Sequence, residues 1–262
     1  RPPRSTLFPY TTLFRSSAML MFAALALAVA VYRARGVFFA QVASDIEWRR
    51  ERTARERVSA LFGTYFPAEV AKKLIANDGP MQPQRSQGTA LVMDIAGFTA
   101  FSSRHSPEEV IAVLHAFLAD ATDTVSTHGG VVMSYLGDGF LVTFDAPIRL
   151  PDPASAAVKT ALHLLEAAAA HGFSVRVGIA SGDLVTGTIG SSERRSFTVY
   201  GDAVNLAARL ESQCKALGVP ILTDEPTAEG CTSIPLEPVG HQAIDGLVTR
   251  VPVFRLSEKT AH

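Results

Sequence analysis

Apolar and polar residues follow one another in blocks whose lengths separate strands from helices. Thr89 to Met93 is a near-continuous apolar run of strand length, which predicts a strand buried on both faces. Ser106-Pro107-Glu108-Glu109 is a capping box with proline at the first helical position. Val110, Val113, Leu114, Phe117, Leu118, Ala121 and Val125 then keep helical spacing until His128-Gly129-Gly130 ends the helix. Val131 to Phe144 reads as a hairpin turning at Gly137-Asp138. An alanine- and leucine-rich helix over Ala154 to Ala170, a strand over Phe173 to Ile179 and a helix over Asp202 to Leu217 follow. The order βαββαβ, with further elements after it, predicts an α+β domain with a ferredoxin-like sheet and helices on one face.

Upstream of Thr89 the pattern changes. Gly79-Pro80 and the polar stretch Gln82 to Gly88 read as a linker. Val42 to Leu61 predicts a charged helix, with Val42, Ile46, Val58, Leu61 and Phe62 as a thin apolar stripe. A solvated helix and a parallel two-stranded linker both fit that stripe. Ser17 to Tyr32 carries no charge before Arg33 and Arg35. It is short for a membrane span, which needs about 20 apolar residues; a signal-peptide core or a buried helix shares its composition. The basic residues after it place the downstream chain in the cytoplasm. Leu7 to Ser16 reads as a translated sequencing adapter, which would have cut off the start of the span. The expected organisation is therefore an adapter over 1–16, a truncated transmembrane helix over 17–33, a helical dimerisation or signalling linker over 34–63, a catalytic domain over 64–257 and a tail over 258–262. The expected location is the inner membrane of the cell, with the catalytic part cytoplasmic.

Composition narrows the picture. The 262 residues are 47% hydrophobic and 19% charged, enough for a well-buried core. With 25 acidic and 24 basic residues, the chain is not patterned as a general nucleic-acid binder. Cys214 and Cys231 make neither a disulfide framework nor a metal cage.

The candidate chemistry lies where apolar runs end in acid. Asp94 closes Leu91-Val92-Met93, and Asp138 sits at the hairpin turn. Neighbouring antiparallel strands bring such carboxylates to one sheet edge, where they suit Mg²⁺ ions clamping a nucleoside triphosphate. The backbone N–H groups of Ala96, Gly97, Phe98 and Thr99 are candidates to cradle phosphates. In Asp202 to Leu217, Asn205 and Arg209 are four apart and share a helix face. Asn offers an oriented amide, and Arg a permanent planar charge suited to phosphate.

From about Leu61 to Leu256 the chain resembles the class III nucleotidyl cyclases, the adenylate/guanylate cyclase family. Five ordered motifs carry the resemblance: Leu61-Phe62-Gly63-Thr64-Tyr65-Phe66-Pro67, Asp94-Ile95-Ala96-Gly97-Phe98-Thr99, Leu136-Gly137-Asp138, Arg176-Val177-Gly178-Ile179 and the block Gly201 to Glu211. The resemblance implies that Asp94, Asp138 and the backbone carbonyl of Ile95 bind two Mg²⁺ or Mn²⁺ ions. It also implies that Asn205 orients the ribose, Arg209 stabilises the transition state and Arg176 lies near the triphosphate. The implied reaction converts a nucleoside triphosphate, ATP foremost, to its 3′,5′-cyclic monophosphate and pyrophosphate. The implied assembly is a homodimer with shared active sites.

Two positions depart from the family pattern. Adenylate cyclases usually carry Lys, and guanylate cyclases often Glu, where this chain has Ser134; its partner in base selection is Thr198. A triphosphate-binding Lys or Arg is replaced by Asp245, which would repel phosphate, with Arg250 as the nearby substitute. Two alternatives stay open: a guanylate or dual-specificity cyclase, and a degenerate domain that binds nucleotide and transmits a signal. The Gly-Gly-Asp/Glu-Glu-Phe signature of diguanylate cyclases does not occur.

Overall fold

The computed structural model describes residues 82–191, 195–244 and 249–257. The 17–33 span, the 34–63 linker, the Leu61 to Pro67 motif and Asp245 lie outside the described residues. The elements run β1 (Gln84–Ile95), α1 (Phe98–Ser102), α2 (Pro107–Thr127), β2 (Val131–Leu136), β3 (Gly139–Phe144), α3 (Pro153–Ala170), β4 (Val175–Gly190), β5 (Arg195–Tyr200), α4 (Asp202–Leu217), β6 (Ile221–Asp224), α5 (Glu225–Gly230), β7 (Leu236–Gln242) and β8 (Val251–Leu256). One eight-stranded sheet has the order β2-β3-β1-β4-β6-β8-β7, with β5 pairing with β4 off that path. Its first half, β2-β3-β1-β4, is antiparallel throughout and follows the ferredoxin-like order, as the βαββαβ pattern predicts.

The predicted start of α2 holds because its cap does. Ser106 accepts from the Glu109 N–H, and the Glu109 carboxylate accepts from the Ser106 N–H. Together these satisfy two of the orphan donors at the start of α2. Glu109 has its pKa lowered by those Ser106 hydrogen bonds. By length and hydropathy α2 resembles a membrane span, yet Phe117, Ala121 and Val125 are buried in the core cluster.

The helices do not all lie on one face. Leu91, Met93 and Ile95 pack with Phe117 of α2 and with Ala157, Val158, Ala161 and Leu164 of α3. Ala90, Val92, Ala180 and Leu184 pack with Ala203, Ala207, Leu210 and Cys214 of α4. The reason is in β1 itself. Six consecutive residues, Gly88 to Met93, are buried, so both parities of the strand are apolar and each face needs a cover. The two central strands are also longer than the hydrophobic pattern predicts. The polar Gln84 to Gly88 is strand, paired with Gly182 to Thr186 of β4.

The approach of α4 to β4 is unusually close. A Cβ at Gly178 would lie 2.0 Å from the Ala207 carbonyl oxygen and 2.3 Å from the Glu211 nitrogen. Only a glycine lets the helix backbone rest on the strand there.

Candidate active site

Asp94 is the penultimate residue of β1 and Asp138 occupies the β2–β3 turn. Gly139 joins them. A Cβ on it would sit 2.0 Å from the Met93 carbonyl oxygen and 3.1 Å from Asp94 Cα. The hairpin therefore closes onto the end of β1, and the two carboxylates meet as predicted. Burial and the neighbouring Asp94 carboxylate push the Asp138 pKa up, against a smaller opposing pull from Arg176. Ionised carboxylates in contact repel, and a divalent cation between them relieves that repulsion. Hard carboxylate oxygens are the donors Mg²⁺ and Mn²⁺ prefer, and a Mg²⁺ site needs only one or two of them beside substrate phosphates. Among the described residues no group of three or more His, Cys, Asp or Glu is placed around one point. Ile95 itself is 1% exposed, with its side chain in the core, leaving only its backbone to face the site.

Arg176 is not free to await a triphosphate. It is the direct cross-strand partner of Asp94 in the β1–β4 ladder. Its Nη2 donates to Asp94 Oδ2 at 2.5 Å, and its Nε donates to Glu211 Oε1 at 2.8 Å. The Glu211 hydrogen bond is the main reason its pKa is raised. Glu211 lies in the recognised block, but sequence reasoning assigned it no role. One clue was available. Position 211 is in phase with Ala207 and Cys214 on the apolar stripe of α4, and a carboxylate in such a stripe requires a cationic partner.

Of the four N–H groups expected to cradle phosphate, that of Ala96 is already committed. The Ala96 N–H already donates to the Ser174 carbonyl at 2.8 Å. Gly97 takes a left-handed turn, with φ of 75°, and begins the short α1. Thr99 is exposed. Phe98 is anchored by Phe101 and Phe173, at ring separations of 5.9 and 6.4 Å.

Ser134 reaches its face through an irregularity. Val132 pairs with Val142, but the next pair is Ser134 with Leu141, so Met133 is an extra residue in β2. Without that bulge Ser134 would oppose Phe140 and turn toward α2 and α3. With it, Ser134 shares the α4 side with Leu141 and Met133. Thr198 lies between buried Phe197 and Val199 in β5, so its side chain leaves on the other side of that strand. Arg250 is exposed in the turn before β8.

Asn205 and Arg209 do not join Asp94 in the same chain. At about 100° per residue they fall on the side of α4 opposite the buried Ala203, Ala207, Leu210 and Cys214. Asn205 is exposed and Arg209 half-buried, and neither side chain has a hydrogen-bond or ionic partner among the described residues. Separately, a cleft of about 460 Å³ lined by Gln87, Thr89, Ser181 and Asp152 lies toward the other end of β1 and β4.

Known proteins share this fold. Residues 81–246, well over half of the chain, match the family described as adenylate and guanylate cyclase catalytic domain. Adenylate cyclase 1 of Rhizobium meliloti (strain 1021) is 31% identical over 208 residues, covering 74% of this chain and 31% of the relative. The chain thus spans about a third of the length of the curated relatives it matches. Among solved structures, the adenylyl cyclase CyaB from P. aeruginosa superposes with a TM-score of 0.63 at 25% identity, over 68% of this chain and 97% of that one. A crystallised guanylyl cyclase superposes with a TM-score of 0.59 at 29% identity, over 68% and 96%. With its ferredoxin-like sheet, its paired Asp94 and Asp138 and its outward-facing Asn205 and Arg209, the chain belongs to the adenylate and guanylate cyclase catalytic domain family.

Proposed function

We propose that this chain converts a nucleoside triphosphate, ATP foremost, to the 3′,5′-cyclic monophosphate and pyrophosphate at sites shared by two copies. One observation carries the reading: the carboxylate pair and the Asn205/Arg209 pair stand on opposite sides of α4. A complete site therefore needs Asp94 and Asp138 from one copy and Asn205 and Arg209 from the other. Two Mg²⁺ or Mn²⁺ ions, held by Asp94, Asp138 and the Ile95 carbonyl, would supply Lewis-acid activation of the ribose 3′-hydroxyl and charge neutralisation at the triphosphate. Asn205 orients the ribose so that its 3′-oxygen lies in line with the α-phosphorus. As that oxygen gives up its proton to water and bonds to the α-phosphorus, the bond to the pyrophosphate oxygen breaks. Arg209 meets the negative charge that grows on the phosphoryl oxygens. Ser134 and Thr198 present neutral hydroxyls to the base, which each donate or accept. ATP is favoured on the resemblance to bacterial adenylate-type members, not on these two residues.

The test is to incubate the full chain with ATP or GTP and Mn²⁺ and to identify the product by mass spectrometry. Asp94→Asn and Asp138→Asn are expected to abolish the cyclic product while keeping the wild-type circular dichroism spectrum. Turnover near wild type in either variant sinks the metal assignment. We extend the reading to anchorage: residues 17–33 span the inner membrane and 34–63 lead to a cytoplasmic domain. Protease protection in inverted membrane vesicles tests that extension.

A further inference from the structure

Glu211 is a carboxylate with 8% exposure on the sheet-facing side of α4. Gly178 lets α4 approach β4 closely enough to deliver it to Arg176. Both ends of one guanidinium are thus engaged, Nε by Glu211 and Nη2 by Asp94. The Asp94 Oδ2 that accepts from Arg176 is one of the two oxygens this carboxylate can offer a divalent cation. Resting on the reading of Asp94 and Asp138 as metal ligands, we infer that Glu211 is a positioning residue that steers Arg176 onto Asp94, where Arg176 competes with the divalent cation.

Nη2 leaves Asp94 when the cation binds, while Nε stays tethered to Glu211, so the guanidinium pivots rather than departs. A triphosphate entering beside it offers Nη2 a new anionic partner. Nucleotide and cation therefore assist each other, and the assistance is reciprocal. The family-derived expectation that Arg176 lies near the triphosphate and its ion pair with Asp94 become two positions of one tethered side chain.

The test measures Mn²⁺ affinity of the full chain by electron paramagnetic resonance without nucleotide. Removing a unit positive charge from a partly exposed carboxylate predicts roughly tenfold tighter Mn²⁺ binding for Arg176→Gln. Glu211→Gln no longer holds Arg176 against Asp94, and Mn²⁺ binding tightens several-fold, by less than in Arg176→Gln. In the Arg176→Gln background, Glu211→Gln has little further effect, because Glu211 acts through Arg176. A merely structural Glu211 would weaken binding equally in both backgrounds, and that result overturns the inference. So does unchanged or weaker binding in Arg176→Gln. Asp94→Asn separates the two readings. If it leaves Mn²⁺ affinity intact, the metal assignment fails. If it abolishes binding while Arg176→Gln changes nothing, only the competition fails.

Discussion

Gly178→Ala is the substitution on which the geometry bears hardest. The added methyl would lie 2.0 Å from the Ala207 carbonyl oxygen and 2.3 Å from the Glu211 nitrogen. Both are backbone atoms of a helix, so no rotamer change relieves the clash. To open the shorter contact to an ordinary carbon–oxygen separation, α4 must retreat from β4 by about 1.4 Å. Overpacking costs about 1–3 kcal/mol, and a backbone clash belongs at the upper end, about 3 kcal/mol. For a urea m-value of about 2 kcal/mol/M this lowers the unfolding midpoint by about 1.5 M. Gly182→Ala is the internal control. It lies four residues along the same strand, and its methyl would meet only Ala203 Cβ at 3.6 Å, an ordinary contact. Its stability is expected within about 0.5 kcal/mol of wild type. Both variants are compared by urea titration at one fixed protein concentration, because assembly raises apparent stability. A Gly178→Ala midpoint no lower than that of Gly182→Ala refutes the close-approach argument.

Four further outcomes are expected. Asp94→Asn and Arg209→Ala should each be inactive alone but regain part of the activity when mixed, because a mixed dimer keeps one intact site; no recovery after verified subunit exchange defeats the shared-site reading. Wild-type discrimination between ATP and GTP should be only several-fold, since a neutral hydroxyl contact is worth about 1 kcal/mol. Ser134→Lys should shift a two-substrate competition toward ATP, mainly through kcat/KM, and an unchanged ratio would show that Ser134 does not face the base. Finally, burial pushes the Asp224 pKa up to about 6, outweighing its hydrogen bonds from Thr227 and Ser181. Its folded value exceeds its ordinary value of 3.8, so its contribution to stability is fully present below that ordinary value and is lost as pH rises through about 6. The difference in urea midpoint between wild type and Asp224→Asn should therefore vary over that window, and a pH-independent difference contradicts the assignment.

Local chemistry made some elements legible and hid others. Ser106, Pro107 and Glu109 announce the start of α2 because a cap is a short-range arrangement. The helix over Asp202–Leu217 was legible from its spacing and from the glycines on either side. The first half of β1 and the second half of β4 were not. Gln84 to Gly88 and Ser181 to Gly190 are rich in Gly, Ser, Gln and Thr, which read as loop until each supplies the other's ladder. The carboxylate pair was legible because both aspartates end apolar runs. The Arg176–Glu211 tether was not, since it depends on a cross-strand register and on how closely α4 packs against β4. The face taken by Ser134 hangs on one extra residue in β2, which no periodicity reveals.

α4 has a consequence for the proposed dimer as a whole. Glu211 and Arg209 are two residues apart, yet on opposite sides of the helix: Glu211 meets its own chain's Arg176, whereas in the proposed dimer Arg209 would face the other copy's substrate. A helix this short moves as a rigid rod. A small roll or slide that retracts Glu211 from Arg176 also re-aims Arg209 across the assembly. In the proposed dimer each half would thereby sense the loading of the other, and successive turnovers need not be independent. An upstream input that turns α4 has a single handle on both catalytic centres.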